Sequence, residues 1–376
     1  MSTRGSVKKD PSGRWCFAVD LPTAGGGRKQ ARRRGFATKR AAQEALELLV
    51  GQVVTGLYVD PTRITVGEYL TEHWLPATAA TVRPTTFDTY GRLVRLHLVP
   101  GLGAVRLQQL ERAHVGRWLA GLTVAGLAPK TVRNIHGVLV KALADAVELE
   151  LVSRNAATRP RGLPPARSPE LKAWTGDQLG AFFAATADDR LLPVWRVVAA
   201  TGCRRGEVLG LRWTEVDLEA GTATIIRQRT IAGGRVVEGA PKTASGARTV
   251  ALDAGTVRSL RAWRSQQAAE RLLMGAGWAS TGLVFTNPDG GGLWPQRVTA
   301  RFRVLAQELG LPLIGVHGLR HSAASFMIAS GVNPKVVQAR LGHAHVSVTL
   351  GLYTHVLPGH DRAAADALGA ALDGGP

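Results

Sequence analysis

The sequence predicts a multidomain chain. A small β-sheet plus helix forms the N-terminal domain, an all-α domain follows, and the C-terminal domain is mainly α, an α+β fold with a small antiparallel sheet. Three observations predict this. The 376 residues exceed one average domain and leave room for two or three cores. A hydrophobic content of 45% with 20% charged residues is that of a folded chain, not a disordered one. The hydrophobic period also changes along the chain, from alternating to helical, then through an aperiodic proline- and arginine-rich stretch into a mixed pattern. The boundaries read from these changes are 1–60, 61–158, a linker at 159–170, and 171–376.

In the first segment, Gly5–Lys9, Arg14–Asp20 and Lys29–Phe36 read as short strands. The alanine-rich run after Thr38 has high helix propensity, with Thr38 as its N-cap. The second segment, from about Thr65 to Ser153, carries apolar residues at three-to-four spacing in VGEYLTEHWL, TTFDTYGRLVRLHLV, ERAHVGRWLAGL and PKTVRNIHGVLVKALADAVELEL. Pro84 and Pro129 stand near helix starts, where proline is tolerated. From about Leu171, helices at Asp177–Ala187, Leu191–Ala200 and Arg205–Leu211 precede strands at Thr222–Arg227, Arg235–Glu238 and Ala247–Leu252, after which helices return.

A formal net charge of +19, distributed along the whole chain, points to a polyanionic partner. Residues 1–40 hold eleven Lys and Arg against Asp10 and Asp20. Arg32, Arg33 and Arg34 in the third strand are candidate DNA contacts, and Lys130, Arg133 and Lys141 fall along one flank of the last helix of the second segment. No run of 18 apolar residues and no signal-peptide h-region is present, so a cytoplasmic protein with no membrane partner is the economical reading. The two cysteines, Cys16 and Cys203, form no paired motif, and Cys203 reads as a small buried thiol. No metal site is expected, because His317, His321, His343 and His345 lack the spacing and companions of a ligand set.

The C-terminal segment gathers polar residues within apolar context. In Thr201-Gly-Cys-Arg204-Arg-Gly-Glu207, Arg204 and Glu207 are expected on one face of a helix that opens after a glycine turn. Pro241-Lys242-Thr is expected in a hairpin between strands. His317-Gly-Leu-Arg320 spans one helical turn, Leu341-Gly-His343 closes a helix, and Tyr353 follows ten residues later. Each alone is common: a core tyrosine, a helix ion pair, a solvated lysine.

The joint order T-G-x-R-x-x-E, lysine, H-x-x-R, L-G-H and tyrosine resembles the catalytic domain of the tyrosine recombinases, the phage integrase family, over about 171–376. The segment Thr65–Ser153 is similar to that family's helical core-binding (SAM-like) domain, and residues 1–54 to its arm-binding domain. The resemblance implies a site-specific recombinase in which Tyr353 is the nucleophile and Arg204, Arg320 and His343 stabilise the phosphoryl transition state. It further implies His317 as base or proton relay, Lys242 as general acid and Glu207 as a support for its basic neighbours. It implies a 3′-phosphotyrosyl link that conserves bond energy, so that neither ATP, metal nor other cofactor is needed. The implied partners are double-stranded DNA attachment sites and a homotetramer at synapsis, with a directionality factor and a DNA-bending protein as further candidates. The arm-like segment favours the integrase of a phage or integrative conjugative element over a chromosome-dimer resolvase. The C-terminal run Asp361–Leu372 suits docking onto a neighbouring subunit or onto its own domain. A type IB topoisomerase, with similar Arg-Lys-Arg-His-Tyr logic, and a non-catalytic DNA-binding protein are the competing readings.

Overall fold

The structure is a computed structural model that describes residues 5–21, 29–55, 57–166, 172–241 and 243–345. Lys242, Tyr353 and the run Asp361–Leu372 lie outside the described residues. Internal contacts divide the chain into two units, Met1–Arg167 and Ser168–Pro376.

The first unit opens with β1 (Gly5–Lys9), β2 (Trp15–Leu21) and β3 (Lys29–Phe36), an antiparallel sheet in that order. Alternation along β2 sends Phe17, Val19 and Leu21 to one face, where they bury against Leu46 and Leu49 of α1 (Lys39–Val54). The N-cap is Thr38, whose hydroxyl accepts the Ala41 N–H at 3.1 Å.

The helical part of this unit holds two runs that change pitch midway. In one, α2 (Val66–Glu68) passes through a π-helical stretch, Tyr69–Trp74, into α3 (Leu75–Thr78). In the other, α4 (Pro84–Leu93) passes through Val94–Leu98 into α5 (Val99–Leu102). Pro76 and Pro100 stand just beyond the two π stretches. Proline offers no N–H and crowds the preceding turn, and the wider π turn accommodates it without ending the helix. Next come α6 (Arg112–Val124) and α7 (Pro129–Glu148), the latter with proline at its first position as expected. Two polar ties fasten α7 to the first run: Tyr69 Oη donates to Ala142 O at 2.8 Å, and Trp74 Nε1 to Asp145 Oδ2 at 2.8 Å. Both spare a buried aromatic an unpaired donor.

The second unit begins with α8 (Gly176–Ala185), α9 (Leu192–Thr201) and α10 (Arg205–Leu209). Its strands are β4 (Val216–Asp217), β5 (Thr222–Ile225), β6 (Gln228–Ala232), β7 (Arg235–Gly239) and β8 (Arg248–Ala251). The expected small antiparallel sheet is present as β4-β5-β8, and β6 and β7 form a separate two-stranded ribbon. Strand alternation was visible in the sequence, but sheet membership depends on pairing between distant residues. The helices α11 (Ala254–Met274), α12 (Pro295–Glu308), α13 (Val316–Ala329) and α14 (Pro334–Leu341) complete the described unit. Its core centres on Trp174, Phe182, Trp195 and Phe302, whose ring centroids stand 5.0 to 5.9 Å apart. These rings fix α8, α9 and α12 against one another. Among the described residues no helix is long and apolar enough to cross a membrane.

Replacing Thr38 with Ala removes the N-cap acceptor of α1 and is expected to cost about 1 kcal/mol. Amide exchange in the first turn of α1 should then quicken roughly fivefold; unchanged exchange would show that the cap contributes nothing.

Candidate active site

The site grows from the end of α9. That helix stops at Gly202, whose φ of 66° is left-handed and strained for any residue with a side chain. A Cβ there would also run into Leu341 Cδ2. Thr201 Oγ1 accepts the Cys203 N–H at 3.1 Å, tightening the corner. The chain therefore turns before α10 begins, and Arg204 is the N-cap residue of α10 with extended backbone. This corrects the expectation that Arg204 and Glu207 share a helix face: only Glu207 is helical, at the third position. From there its carboxylate reaches back, Oε2 accepting the Arg204 backbone N–H at 2.9 Å and Oε1 the Arg204 guanidinium at 2.7 Å.

Two further groups of the motif come from α13, which packs across α9. Arg320 is 2% exposed, and its Nη1 donates to Gly202 O at 2.7 Å. Its Nη2 is buried and has no hydrogen-bond partner among the described residues. One turn earlier, His317 stands exposed at the rim. The ring of His321 meets that of His317 edge-on, centroids 4.9 Å apart. The fifth group, His343, follows the C-cap of α14, Gly342, at φ 67°. A Cβ at Gly342 would lie 2.8 Å from Ser245 O and 2.9 Å from Arg248 Nη1, so only glycine lets the turn sit this close. Gln338 holds the turn, accepting the His343 N–H through its carbonyl at 3.1 Å and donating Nε2 to His343 O at 3.0 Å.

The local field is strongly positive. Burial, followed by repulsion from Arg204, brings the Arg320 guanidinium down to about 10, still protonated at neutral pH. Partial enclosure, then the charges of His321, Arg320 and Arg204, hold His317 at about 4. More than a third of His317 meets solvent, so its cationic neighbours weigh heavily in that shift. Burial first, then Arg320 and Arg204, brings His343 to about 4. Both imidazoles are thus neutral near pH 7, able to accept a proton or donate a ring N–H. Glu207 behaves in the opposite sense: burial pushes its carboxyl up, but Arg248 and then Arg204 pull it below the ordinary value. Burial raises the Cys203 thiol, which keeps it protonated, as suits the enclosed thiol expected here.

The structure thus brings together Arg204, Glu207, His317, Arg320 and His343 of the residues picked from sequence. Lys242 lies outside the described residues, yet Pro241 and Thr243 on either side belong to the long connection from β5 to β8, from which the β6–β7 ribbon projects. Since β7 and β8 do not pair, the expected hairpin between neighbouring strands is replaced by this connection. The sequence assigned no site role to Arg248, which is bonded to Glu207, and pointed to His321 only as a metal ligand to be rejected, whereas its ring meets that of His317. Arg248 comes six residues after Lys242 and His321 directly follows Arg320, but nothing in the chain order shows that either side chain meets the others. Among the described residues no three His, Cys, Asp or Glu side chains gather as a metal ion would require.

In the first unit, Arg32, Arg33 and Arg34 are all exposed. Arg33 pairs with Phe17 and Arg32 with Ala18, so alternation sends these neighbours to opposite faces, and Arg34 lies at a register shift. Lys130, Arg133 and Lys141 are exposed on α7. Arg133 donates to Pro164 O at 3.1 Å and Lys141 is tied to Asp145 at 2.5 Å, which leaves Lys130 as the least engaged of the three. A groove of about 640 Å³ was not foreseen; Arg112, Arg117, Arg159 and Arg161 line it over Ala113, Gly116 and Ala120.

Because folding holds His317 and His343 below the ordinary 6.5, the unfolded chain binds more protons than the folded one between about pH 4 and 6.5. Stability should be complete above that window and fall as pH drops through it. Melting scans across this range, with NMR titration of both imidazoles, check this. A flat melt with midpoints near 6.5 would contradict the cation-cluster geometry.

Comparison with known proteins yields matches along the chain. The model of the phage integrase family matches residues 174–360, that of the arm DNA-binding domain residues 6–53, and that of the phage integrase N-terminal SAM-like domain residues 65–123. A tyrosine recombinase XerC of Mycobacterium sp. (strain KMS) is 30% identical over 266 residues, covering 66% of this chain and 79% of its own length. An integrase of Streptomyces ambofaciens is 29% identical over 353 residues, covering 90% of this chain and 89% of its own. In fold, the chain is similar to the Tn1549 transposon integrase in complex with a circular intermediate DNA, with TM-score 0.70 and 19% identity over 81% of this chain and 99% of that one. Family models along the chain and a relative 30% identical agree, and the chain belongs to the phage integrase family of tyrosine recombinases.

Proposed function

We propose that the chain is a site-specific DNA recombinase, an integrase that cuts and rejoins DNA strands through a 3′-phosphotyrosyl intermediate and so integrates or excises a phage or other mobile element. The observation that carries this is the convergence of Arg204, Arg320, His317 and His343 on one corner, with a buried Arg320 N–H that has no partner among the described residues.

The chemistry follows from that corner. The Tyr353 oxygen attacks the scissile phosphorus, a P–O bond to tyrosine forms, and the bond to the 5′-oxygen breaks. Charge grows on the non-bridging oxygens, where the planar forks of Arg204 and Arg320 donate and His343 adds a ring N–H. An ordinary phenol ionises near pH 10, so neutral His317 takes up its proton as the bond forms. Lys242 protonates the departing 5′-oxygen. A 5′-hydroxyl from another strand then reverses the sequence and releases Tyr353. Bond energy is conserved throughout, so the balance requires no ATP, metal or other cofactor.

Residues 1–60 form the arm-type DNA-binding domain in this reading, 61–158 the core-binding domain, 159–170 the linker and 171–376 the catalytic domain. Arg32, Arg33, Arg34, Lys130, Arg133 and Lys141 supply phosphate contacts, with the arginine-lined groove beside α6 as an additional one. Exchange between two duplexes breaks four strands, and one nucleophile per chain calls for a homotetramer at synapsis. A directionality factor and a DNA-bending protein complete the assembly on double-stranded attachment sites.

A nicked duplex that traps the cut strand tests the mechanism. Wild type should form an SDS-stable protein–DNA adduct and Tyr353→Phe none; Arg204→Ala or Arg320→Ala should slow adduct formation by about 100- to 1,000-fold. An adduct made equally by the Tyr353→Phe chain would sink the covalent route. Strand exchange between two duplexes separates this reading from a topoisomerase that relaxes one. Deleting residues 1–54 should impair integration but spare core-site cleavage, and undiminished integration would remove the arm assignment. Affinity should fall steeply with salt as phosphate contacts release counterions, whereas a flat dependence would argue against many such contacts.

A further inference from the structure

Arg248 opens β8 directly behind the turn Ala244–Gly246. Its side chain is 8% exposed, and its guanidinium meets groups from three separate stretches of chain. Nη2 donates to Glu207 Oε2 at 3.0 Å and Cys203 Sγ at 3.1 Å, both at the α9–α10 corner. Nη1 donates to Gly246 O at 2.8 Å, at the end of the connection that contains Lys242. Nε donates to Arg340 O at 2.6 Å, three residues ahead of His343. The left-handed Gly342 turn rests directly on this group. Four of its five N–H donors are thereby spent on protein acceptors, which leaves no fork for a phosphate.

We infer that Arg248 is a positioning residue of the recombination site, fixing Arg204, His343 and the Lys242 connection in one register and sharing the charge of Glu207 with Arg204. The inference rests on the recombinase reading above. Arg204 and Arg248 take opposite oxygens of a fully enclosed carboxylate. Without Arg248, Glu207 has Arg204 alone as its ion-pair partner, and the Arg204 guanidinium becomes a private counterion turned away from substrate. The planar fork matters as well as the charge. A lysine can approach Glu207 but cannot span the Gly246 and Arg340 carbonyls at once.

Glu207 faces Arg204 and Cys203 from its own corner, Arg248 from β8, and Arg320 and His317 from α13. Arg248 is the foremost of the groups that lower its pKa. Removing that cation should let Glu207 protonate at higher pH, so cleavage should fail earlier on the acid side.

The experiment measures adduct formation on the nicked duplex across pH for wild type, Arg248→Gln, Arg248→Lys and Arg248→Ala, with duplex binding and melting temperature recorded for each. Arg248→Gln should cleave about 100-fold more slowly, with its acid limb moved toward neutrality and binding nearly unchanged. Arg248→Lys should keep the wild-type acid limb but remain slow, and guanidinium ion should restore part of the Arg248→Ala rate. Cleavage by Arg248→Gln within twofold of wild type would overturn the inference. So would slow cleavage by all three variants with an unmoved acid limb and no response to guanidinium, the outcome of a merely structural role. Should Arg248→Gln fail to fold, the Arg248→Lys profile and the guanidinium response decide alone. If wild type makes no adduct, the recombinase reading and this inference fall together; if wild type cleaves and the variants are indifferent, only this inference falls.

Discussion

Gathering guanidinium groups in one corner of a protein sets cations against each other where little water is left to screen them, and the enclosed carboxylate of Glu207 offsets that repulsion. Its two oxygens bind Arg204 and Arg248, and one of them also accepts the Arg204 N–H. Neither guanidinium could stay where it is without this acid, and the acid could not stay ionised and enclosed without them. Arg320 depends on the same corner, because the carbonyl it donates to belongs to Gly202, whose left-handed turn sends the chain toward Arg204. Positive charge directed at a substrate is thus held by negative charge and carbonyl dipoles behind it.

Rigidity at the site comes from backbone as much as from side chains. Gly202 and Gly342 are both left-handed helix ends, one where α9 stops and one where α14 stops. Each lets a polar motif residue leave a helix abruptly and in a fixed direction. The surrounding apolar core, with its block of tryptophan and phenylalanine rings, keeps α8, α9 and α12 from sliding. Electrostatic preorganisation of this kind spares the site reorganisation when charge develops on a substrate. The lowered pKa values of His317 and His343 are a consequence of the same arrangement. Burial first, and neighbouring charges including the arginines after it, hold both imidazoles below their ordinary value.

Much of this was legible in the sequence because it rests on local rules. Strand alternation, the Thr38 cap and helix-start prolines act within a few residues of themselves. The spacing in H-x-x-R places His317 and Arg320 one turn apart whatever surrounds them. The order of polar motifs also pointed to the family. Local rules failed where distant chain met. Arg204 looked helical because the sequence shows the glycine turn but not that the chain stays extended through Arg204 before the helix begins. The expected Lys242 hairpin assumed that neighbouring strands pair, but β5 passes over β6 and β7 to join β8. The arginines of β3 are consecutive in sequence, but the pleat sends Arg32 and Arg33 to opposite faces.

By itself, the sequence determined the fold class, the basic character and the order of the candidate polar motifs, because composition, period and motif order are properties of the chain read along its length. Only the tertiary structure decided which of those residues meet, that Arg248 and His321 stand among them, and that the histidines are neutral. Those are matters of desolvation and of distances of a few ångströms between segments far apart in sequence, and such distances exist only once the chain has folded.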